Sequence, residues 1–395
     1  MSNSDIFVTV FMIKKYDYII CGAGLSGLIL SHKIINDRYF DNKSVLIIDK
    51  DLSHRDHKTW CFWEEKESIW NDYVVKAWSN ICFKSTNIVK ETHLENITYK
   101  MIKSVFFFES IINKIKNEKN FTIIEDEIVE IKESIVVKVK TKSNEFESDF
   151  IFNSLFDLNT LKSSYPLLIQ HFKGWTIKTD YEFFNDDVAT IMDFSINQKN
   201  DTRFFYVLPI SKNKALVEFT LFSKSFLADD EYDLELKKYI KKLGIKSYVV
   251  DEKEKGAIPM TCHPFDKNNS NKIINIGTAG GWTKPSSGYT FKFVDKNCEK
   301  VIKFLKEKKS SKKISFKTRY WIYDLIFLHV LYTKNNLGKN LFEKMFEKNK
   351  TELVLRFLDN DTSIKEEINI ASSFPKVLFT KSLFQNIGKI LSYYF

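Results

Sequence analysis

Residues 17–49 read DYIICGAGLSGLILSHKIINDRYFDNKSVLIID, and this stretch decides the fold. YDYIIC at 16–21 predicts a buried strand, GAGLSG at 22–27 a glycine turn, residues 28–36 a helix, and VLIID at 45–49 a second strand. The turn fits G-x-G-x-x-G. Gly22 permits the tight turn, Gly24 lets the backbone approach a pyrophosphate, and Gly27 lets the helix pack on the strand. Asp49 follows Gly27 by 22 residues, the place from which an acid accepts a hydrogen bond from a ribose hydroxyl. Strand, turn, helix and acid together predict an adenine-dinucleotide site. The motif does not separate NAD from FAD.

A second glycine-rich turn, GTAGGWTKPSSGYTF at 277–291, follows the apolar run KIINIGT at 272–278 and precedes a helix over about 289–308. Its place far from the first turn suits a ligand long enough to touch two strand ends. Between them, residues 110–118 have a helical pattern, 121–140 alternate as two strands of a meander, and FIFNSLF at 150–156 is a buried strand. Strands dominate 172–222, where TRFFYVLP and KALVEFTLF, separated by a few residues, predict a hairpin. Residues 229–243 read as an amphipathic helix and 315–395 as mostly helical.

Within ALVEFTLF (215–222) one charge stands among apolar residues. A period of two puts Leu216, Glu218, Thr220 and Phe222 on one face and Val217, Phe219 and Leu221 on the other. Glu218 is either a rim carboxylate reaching water or a desolvated acid with a raised pKa, ready to donate a proton. Asp193, in MDF, is a second candidate acid, with a ladder-end carboxylate as the plainer alternative.

Composition narrows the partners. The 395 residues allow two or three domains. The net charge of +9 is spread over lysines alternating with acids, only five of the 60 basic residues are arginine, and no nucleic-acid motif occurs. We therefore expect no nucleic-acid partner; weak attraction to anionic lipid stays open. Five widely spaced cysteines (21, 61, 82, 262, 298) argue against a disulfide framework or a metal cluster and for a reducing cytosol. No apolar run reaches the length of a membrane span; residues 6–13 are too short and lack a basic leader, and Met12 is an alternative start. The 35 Phe, 17 Tyr and 7 Trp suit a large apolar ligand and equally a thick core.

Taken in order, DYIICGAGLSGL (17–28), VLIIDKD (45–51), KTWCFWE (58–64), FKGW (172–175), MDF (192–194), FFYVLP (204–209), ALVEFT (215–220), GAIPM (256–260) and GTAGGWTKPSSGYTF (277–291) resemble the flavin-dependent lycopene cyclases, bacterial lycopene beta-cyclases in particular. The resemblance implies an α/β chain with an α+β insert: a Rossmann-type FAD-binding domain, an inserted antiparallel substrate sheet and a helical C-terminal region. The expected division is 1–75 with 101–160 and 255–308 for FAD, 76–100 with 161–254 for substrate, and 309–395 for the helices. It implies FAD contacts from Gly22, Ala23, Gly24, Gly27, Asp49, Lys58, Gly277, Thr278, Ala279, Gly280, Pro285 and Gly288, with FAD reduced and NAD(P)H as electron source. His57 and Thr59 are a further cofactor-side or surface pair.

The implied reaction closes the ends of lycopene, or of a related acyclic carotenoid, by proton addition and loss. Glu218 stands where the family's acid stands, with Asp193 as polar support. A cytoplasmic protein in peripheral contact with the membrane is expected, with 374–395 either an interfacial helix or one packed on its own domain. Two features depart from the wider flavoprotein pattern. Thr278 replaces an Asp that contacts the flavin ribityl chain, and NSLF at 153–156 replaces a D-G-x-x-S motif. Competing readings are a redox flavoenzyme, such as a prenyl reductase or hydroxylase, and a non-catalytic carotenoid-binding protein. Ring type, one- or two-ended closure and oligomeric state are not specified by the sequence.

Overall fold

The computed structural model describes residues 13–53, 58–161, 164–307 and 314–394. Strand β1 (Lys14–Cys21) is followed by the glycine turn, helix α1 (Leu25–Ile35) and strand β2 (Val45–Asp49), which runs parallel to β1. The helix starts earlier than its apolar pattern indicated, so Gly27 lies inside its first turn. Strands β3 (Thr59–Glu65) and β4 (Val74–Trp78) come next, then β5 (Asn80–Lys84), β6 (Val89–His93) and β7 (Ile97–Lys103). Helix α2 (Ser104–Asn117) leads to β8 (Phe121–Glu125), β9 (Ile128–Glu133), β10 (Val137–Thr141) and β11 (Glu145–Asn153). The expected two-strand meander over 121–140 is thus three strands, and the first of them joins the parallel sheet beside β2.

The chain continues through β12 (Leu167–Lys178), β13 (Val188–Asp193), β14 (Thr202–Ser211), β15 (Lys214–Ser223), α3 (Asp229–Leu243), β16 (Val249–Thr261), β17 (Ile273–Asn275) and α4 (Phe291–Lys306). Six helices complete it: α5 (Tyr320–Thr333), α6 (Gly338–Lys348), α7 (Thr351–Leu358), α8 (Ile364–Ser372), α9 (Lys376–Gln385) and α10 (Ile387–Tyr394).

Three sheets organise these elements. The first has the order β8-β2-β1-β11-β10-β9, with β17 pairing β11 in parallel. One face of it buries Leu28, Phe107, Ile111 and Val294 from α1, α2 and α4. This is the Rossmann-type α/β arrangement expected of the opening motif, with the opposite face packed by strand residues such as Ile19, Leu46 and Val139. The second sheet has the order β16-β12-β15-β14-β13-β5-β6, and the third is β3-β7-β4. The expected hairpin is β14–β15, closed by a two-residue turn at 212–213, with Tyr206 opposite Glu218.

The period-two reading of β15 holds. Val217, Phe219 and Leu221 pack with Tyr232, Leu236 and Tyr239 of α3, while Leu216 and Phe222 join a separate core with Phe327, Phe342 and Phe346 of α5 and α6. We keep the three-part division of the chain as a proposal, with its boundaries moved to strand ends. β4 crosses residue 75, β7 crosses residue 100 and β16 crosses residue 254, and a hydrogen-bonded strand moves as one unit.

Candidate functional site

The first glycine turn is built as its spacing requires. Gly22 has φ of +101°, a conformation that glycine adopts without strain. A Cβ on Gly27 would lie 2.1 Å from the Gly22 carbonyl oxygen, so only glycine lets α1 pack that closely. A Cβ on Gly24 would meet nothing within 4 Å, because Gly24 borders a cavity of about 600 Å³. Gly24 also caps α1 without a side chain, which leaves the first-turn N–H groups and the positive end of the helix dipole facing that space. Asp49 secures the turn from β2: its Oδ2 accepts from the Ala23 N–H at 2.6 Å and its Oδ1 from the Asp51 N–H at 3.0 Å.

The second turn reaches the same cavity. Thr278 and Gly288 line it; Gly277 and Ala279 lie behind, and Gly280 and Pro285 line a neighbouring cavity of about 220 Å³ instead. Lys58 lines the main cavity, held through its backbone N–H to the Ser104 hydroxyl at 2.9 Å. His57 lies outside the described residues. Two buried polar atoms on the cavity wall, Gln170 Oε1 and Ser287 Oγ, have no hydrogen-bond partner among the described residues. Orphaned buried groups beside an open helix N-terminus and a side-chain-free Gly24 fit an extended polar ligand such as a dinucleotide.

Glu218 opens onto this cavity, with Tyr206, Tyr289, Tyr99, Leu216 and Phe172 around it. It retains partial surface accessibility where it borders the cavity, with protein packed closely around the rest of the side chain. Desolvation by that burial, then the neighbouring Glu254 carboxylate, pushes its pKa well above the ordinary value, against a 2.6 Å hydrogen bond donated by the Thr220 hydroxyl. Its surroundings therefore favour the neutral, protonated form of the acid. Burial also lifts the phenols of Tyr99, Tyr206 and Tyr289, so the rings around Glu218 are uncharged. The arrangement can hold one proton in a dry, aromatic setting and offer it to an apolar molecule.

Asp193 is not part of this group. A register irregularity in β13 turns it to the opposite side of the sheet, where its carboxylate accepts from the Tyr239 hydroxyl at 2.6 Å and the Ser195 N–H at 2.8 Å. The Tyr239 bond ties β13 to α3, and a direct role at the cavity does not fit this arrangement. The sequence reading passed over Glu254, which looks like one solvated charge among many in DEKEKGAIPM. It also passed over Lys284, buried in an ion pair with Asp324 at 2.9 Å.

A family model described as lycopene cyclase protein matches residues 17–384. Among curated proteins, the chloroplastic neoxanthin synthases of Solanum lycopersicum and Solanum tuberosum are each 25% identical over 303 residues, covering 70% of this chain. The chain spans 57% of the length of those relatives. A flavin-dependent brominase has a similar structure, with a TM-score of 0.63, 13% identity, and coverage of 95% of this chain and 100% of that chain. So does a geranylgeranyl bacteriochlorophyll reductase-like protein from Thermoplasma acidophilum, at 0.58 and 10%, covering 94% and 99%. At such identities the likeness shows the fold alone, and it agrees with the Rossmann-type α/β architecture described above.

Proposed function

The chain belongs to the lycopene cyclase family, and from that premise we propose that it cyclises the ends of lycopene, or of a related acyclic carotenoid, to β-ionone rings without net redox change. The observation that carries this reading is one cavity bordered by Gly24, Thr278, Gly288 and Glu218, so that a dinucleotide site and a desolvated acid share one space.

Gly24 and the α1 N-terminus would hold the pyrophosphate of FAD, on a turn shaped by Gly22, Ala23 and Gly27; Asp49 would hold its ribose, and Thr278, Gly288 and Lys58 would lie along the remainder. Bound FAD, kept reduced at the expense of NAD(P)H, would supply negative charge near a developing cation. The rest is the work of the chain. Glu218 gives its proton to a terminal double bond of the polyene. The Tyr206, Tyr289 and Tyr99 rings stabilise the tertiary cation through their faces while a neighbouring double bond closes the ring. The enclosed wall keeps water from trapping that cation.

Substrate reaches the protein from a membrane surface in this reading, which places the protein at the cytoplasmic face of a bilayer. No helix among the described residues is long and apolar enough to cross a membrane. Helix α9 docks on α5, where the Ser382 hydroxyl donates to the Ile326 carbonyl at 3.1 Å, yet Val377 and Phe384 stay exposed beside Lys376 and Lys381. That pairing of apolar and basic groups suits an anionic interface.

The test is expression in a lycopene-accumulating bacterium with pigment analysis: cyclic carotenoid is expected with the native chain and lycopene alone with Glu218→Gln. A redox flavoenzyme on an isoprenoid is the alternative, since a reductase-like protein shares the fold, and it requires NAD(P)H consumption in proportion to product.

A further inference from the structure

Gly174, the glycine of FKGW, is the register partner of two acids at once: Glu218 on β15 and Glu254 on β16. Residues in register across neighbouring strands project from the same face, so the two glutamates straddle a position that has no side chain. A Cβ there would lie 3.0 Å from Glu254 Cγ, 3.4 Å from Glu218 Cβ and 2.9 Å from Leu216 Cδ1. Gly174 is not among the positive-φ glycines, so what its position needs is the missing side chain.

Glu254 is 8% exposed. Its Oε2 accepts from the Thr59 hydroxyl at 2.6 Å, and its Oε1 is buried with no hydroxyl or N–H donor among the described residues. Across the position that has no side chain the two acids act on each other electrostatically, Glu254 raising the pKa of Glu218. The other charged or titratable groups facing the pair among the described residues include Cys61 from β3, Tyr99 and Lys103 from β7, Tyr206 from β14, Glu252 from β16 and Tyr289 from the second turn. Lys103 is ion-paired with Glu252, so Glu254 stands between the cavity acid and a partly exposed ion pair.

We propose that Glu254 is the positioning residue of the acid: a carboxylate that shares one proton with Glu218 across Gly174 and holds that proton at the cavity wall between turnovers. This rests on the cyclase reading above. The proton count balances. The Glu218 O–H bond breaks as a π pair of the polyene forms the new C–H bond, and a second π pair closes the ring. The cyclic cation then loses a neighbouring proton to the carboxylate pair, its C–H electrons becoming the ring double bond. The pair ends with the one proton it began with, and no outside acid, base or oxidant is required. Burial raises the pKa of Glu254 too, but the Thr59 hydroxyl, Glu218 and Lys103 oppose that rise, so of the two acids Glu254 carries the charge more readily and Glu218 the proton, because two adjacent carboxylates resist ionising together.

The test is infrared titration of the flavin-loaded protein, reading the protonated-carboxyl band that Glu218→Gln removes. In Glu254→Gln, which keeps the size and the acceptor for Thr59, that band is expected to titrate about one pH unit or more lower. Glu254→Asp is expected to restore most of the native titration, as a merely structural loss would not. An unshifted band in folded, flavin-loaded Glu254→Gln overturns the proposal. If the native chain leaves lycopene unchanged, the cyclase reading fails, while the band still reports whether the two carboxyls share a proton.

Discussion

The Thr220 hydroxyl donates to Glu218 Oε1 at 2.6 Å from two residues along the same strand. This bond fixes the direction of the acid, while burial and Glu254 favour its protonated form. Glu218→Gln preserves the shape and removes the transferable proton. We expect cyclisation to fall about 10²- to 10⁴-fold with flavin content unchanged, measured as product per flavin. Thr220→Val, which leaves the proton but frees its carrier, is expected to cost activity less than Glu218→Gln does.

The same acid gives stability a pH dependence. Unfolded, Glu218 titrates near about 4.3, and folded it titrates well above that. Its contribution is full below the unfolded pKa and is lost as pH rises toward the folded one, since only the unfolded chain releases the proton in that window. Thermal melting should therefore show Glu218→Gln more stable than the native chain at pH 7.5, on the order of 1 kcal/mol after allowance for water in the open cavity. The two melting points should converge near pH 4. A constant difference across that range would contradict a raised pKa.

Gly24 and Gly27 separate binding from folding. Gly24→Ala sets a methyl over the α1 N-terminus where it meets no protein atom within 4 Å, so flavin binding should weaken at little cost in melting temperature. Gly27→Ala instead drives a methyl against the Gly22 carbonyl and should lower the melting temperature of the flavin-free protein as well. Flavin absorbance after gel filtration, beside calorimetry of both variants, checks the contrast.

Lys284 joins the second turn to the helical region. It lies 1% exposed, bound to Asp324 at 2.9 Å and to the Asn360 side chain at 2.7 Å. Lys284→Met leaves a buried carboxylate without its cation, a change that typically costs about 3–5 kcal/mol. Lys284→Met combined with Asp324→Leu should recover much of the loss in denaturant titration.

On the surface, Val377 and Phe384 are 85% and 69% exposed. The double substitution Val377→Asp and Phe384→Asp should leave melting unchanged and abolish co-flotation with vesicles containing anionic lipid. Flotation equal to that of the native chain would remove α9 from the proposed interface.

Local patterns announced much of this molecule. The G-x-G-x-x-G turn, the acid closing the next strand and the alternation of β15 rest on neighbours in the chain, so sequence alone exposed them. Partners distant in sequence stayed hidden. Glu254 lies in a run of charges that reads as solvated until β12 places Gly174 between it and Glu218. The irregularity that turns Asp193 toward α3 depends on how β13 meets β14. Lys284 looked like a loop lysine because its counter-charge lies 40 residues away on α5.

The central claim is that a single cavity performs acid-driven, redox-neutral ring closure. It is tested most directly with purified, FAD-loaded protein under reducing conditions, given lycopene in vesicles while cyclic product and NAD(P)H oxidation are followed together. Cyclic carotenoid is expected over many turnovers with no NAD(P)H consumed in proportion to product, and at least a hundredfold less of it with Glu218→Gln, in line with the roughly 10²- to 10⁴-fold loss of general-acid catalysis. Stoichiometric NAD(P)H oxidation, or lycopene left unchanged by folded and flavin-loaded native protein, would contradict it.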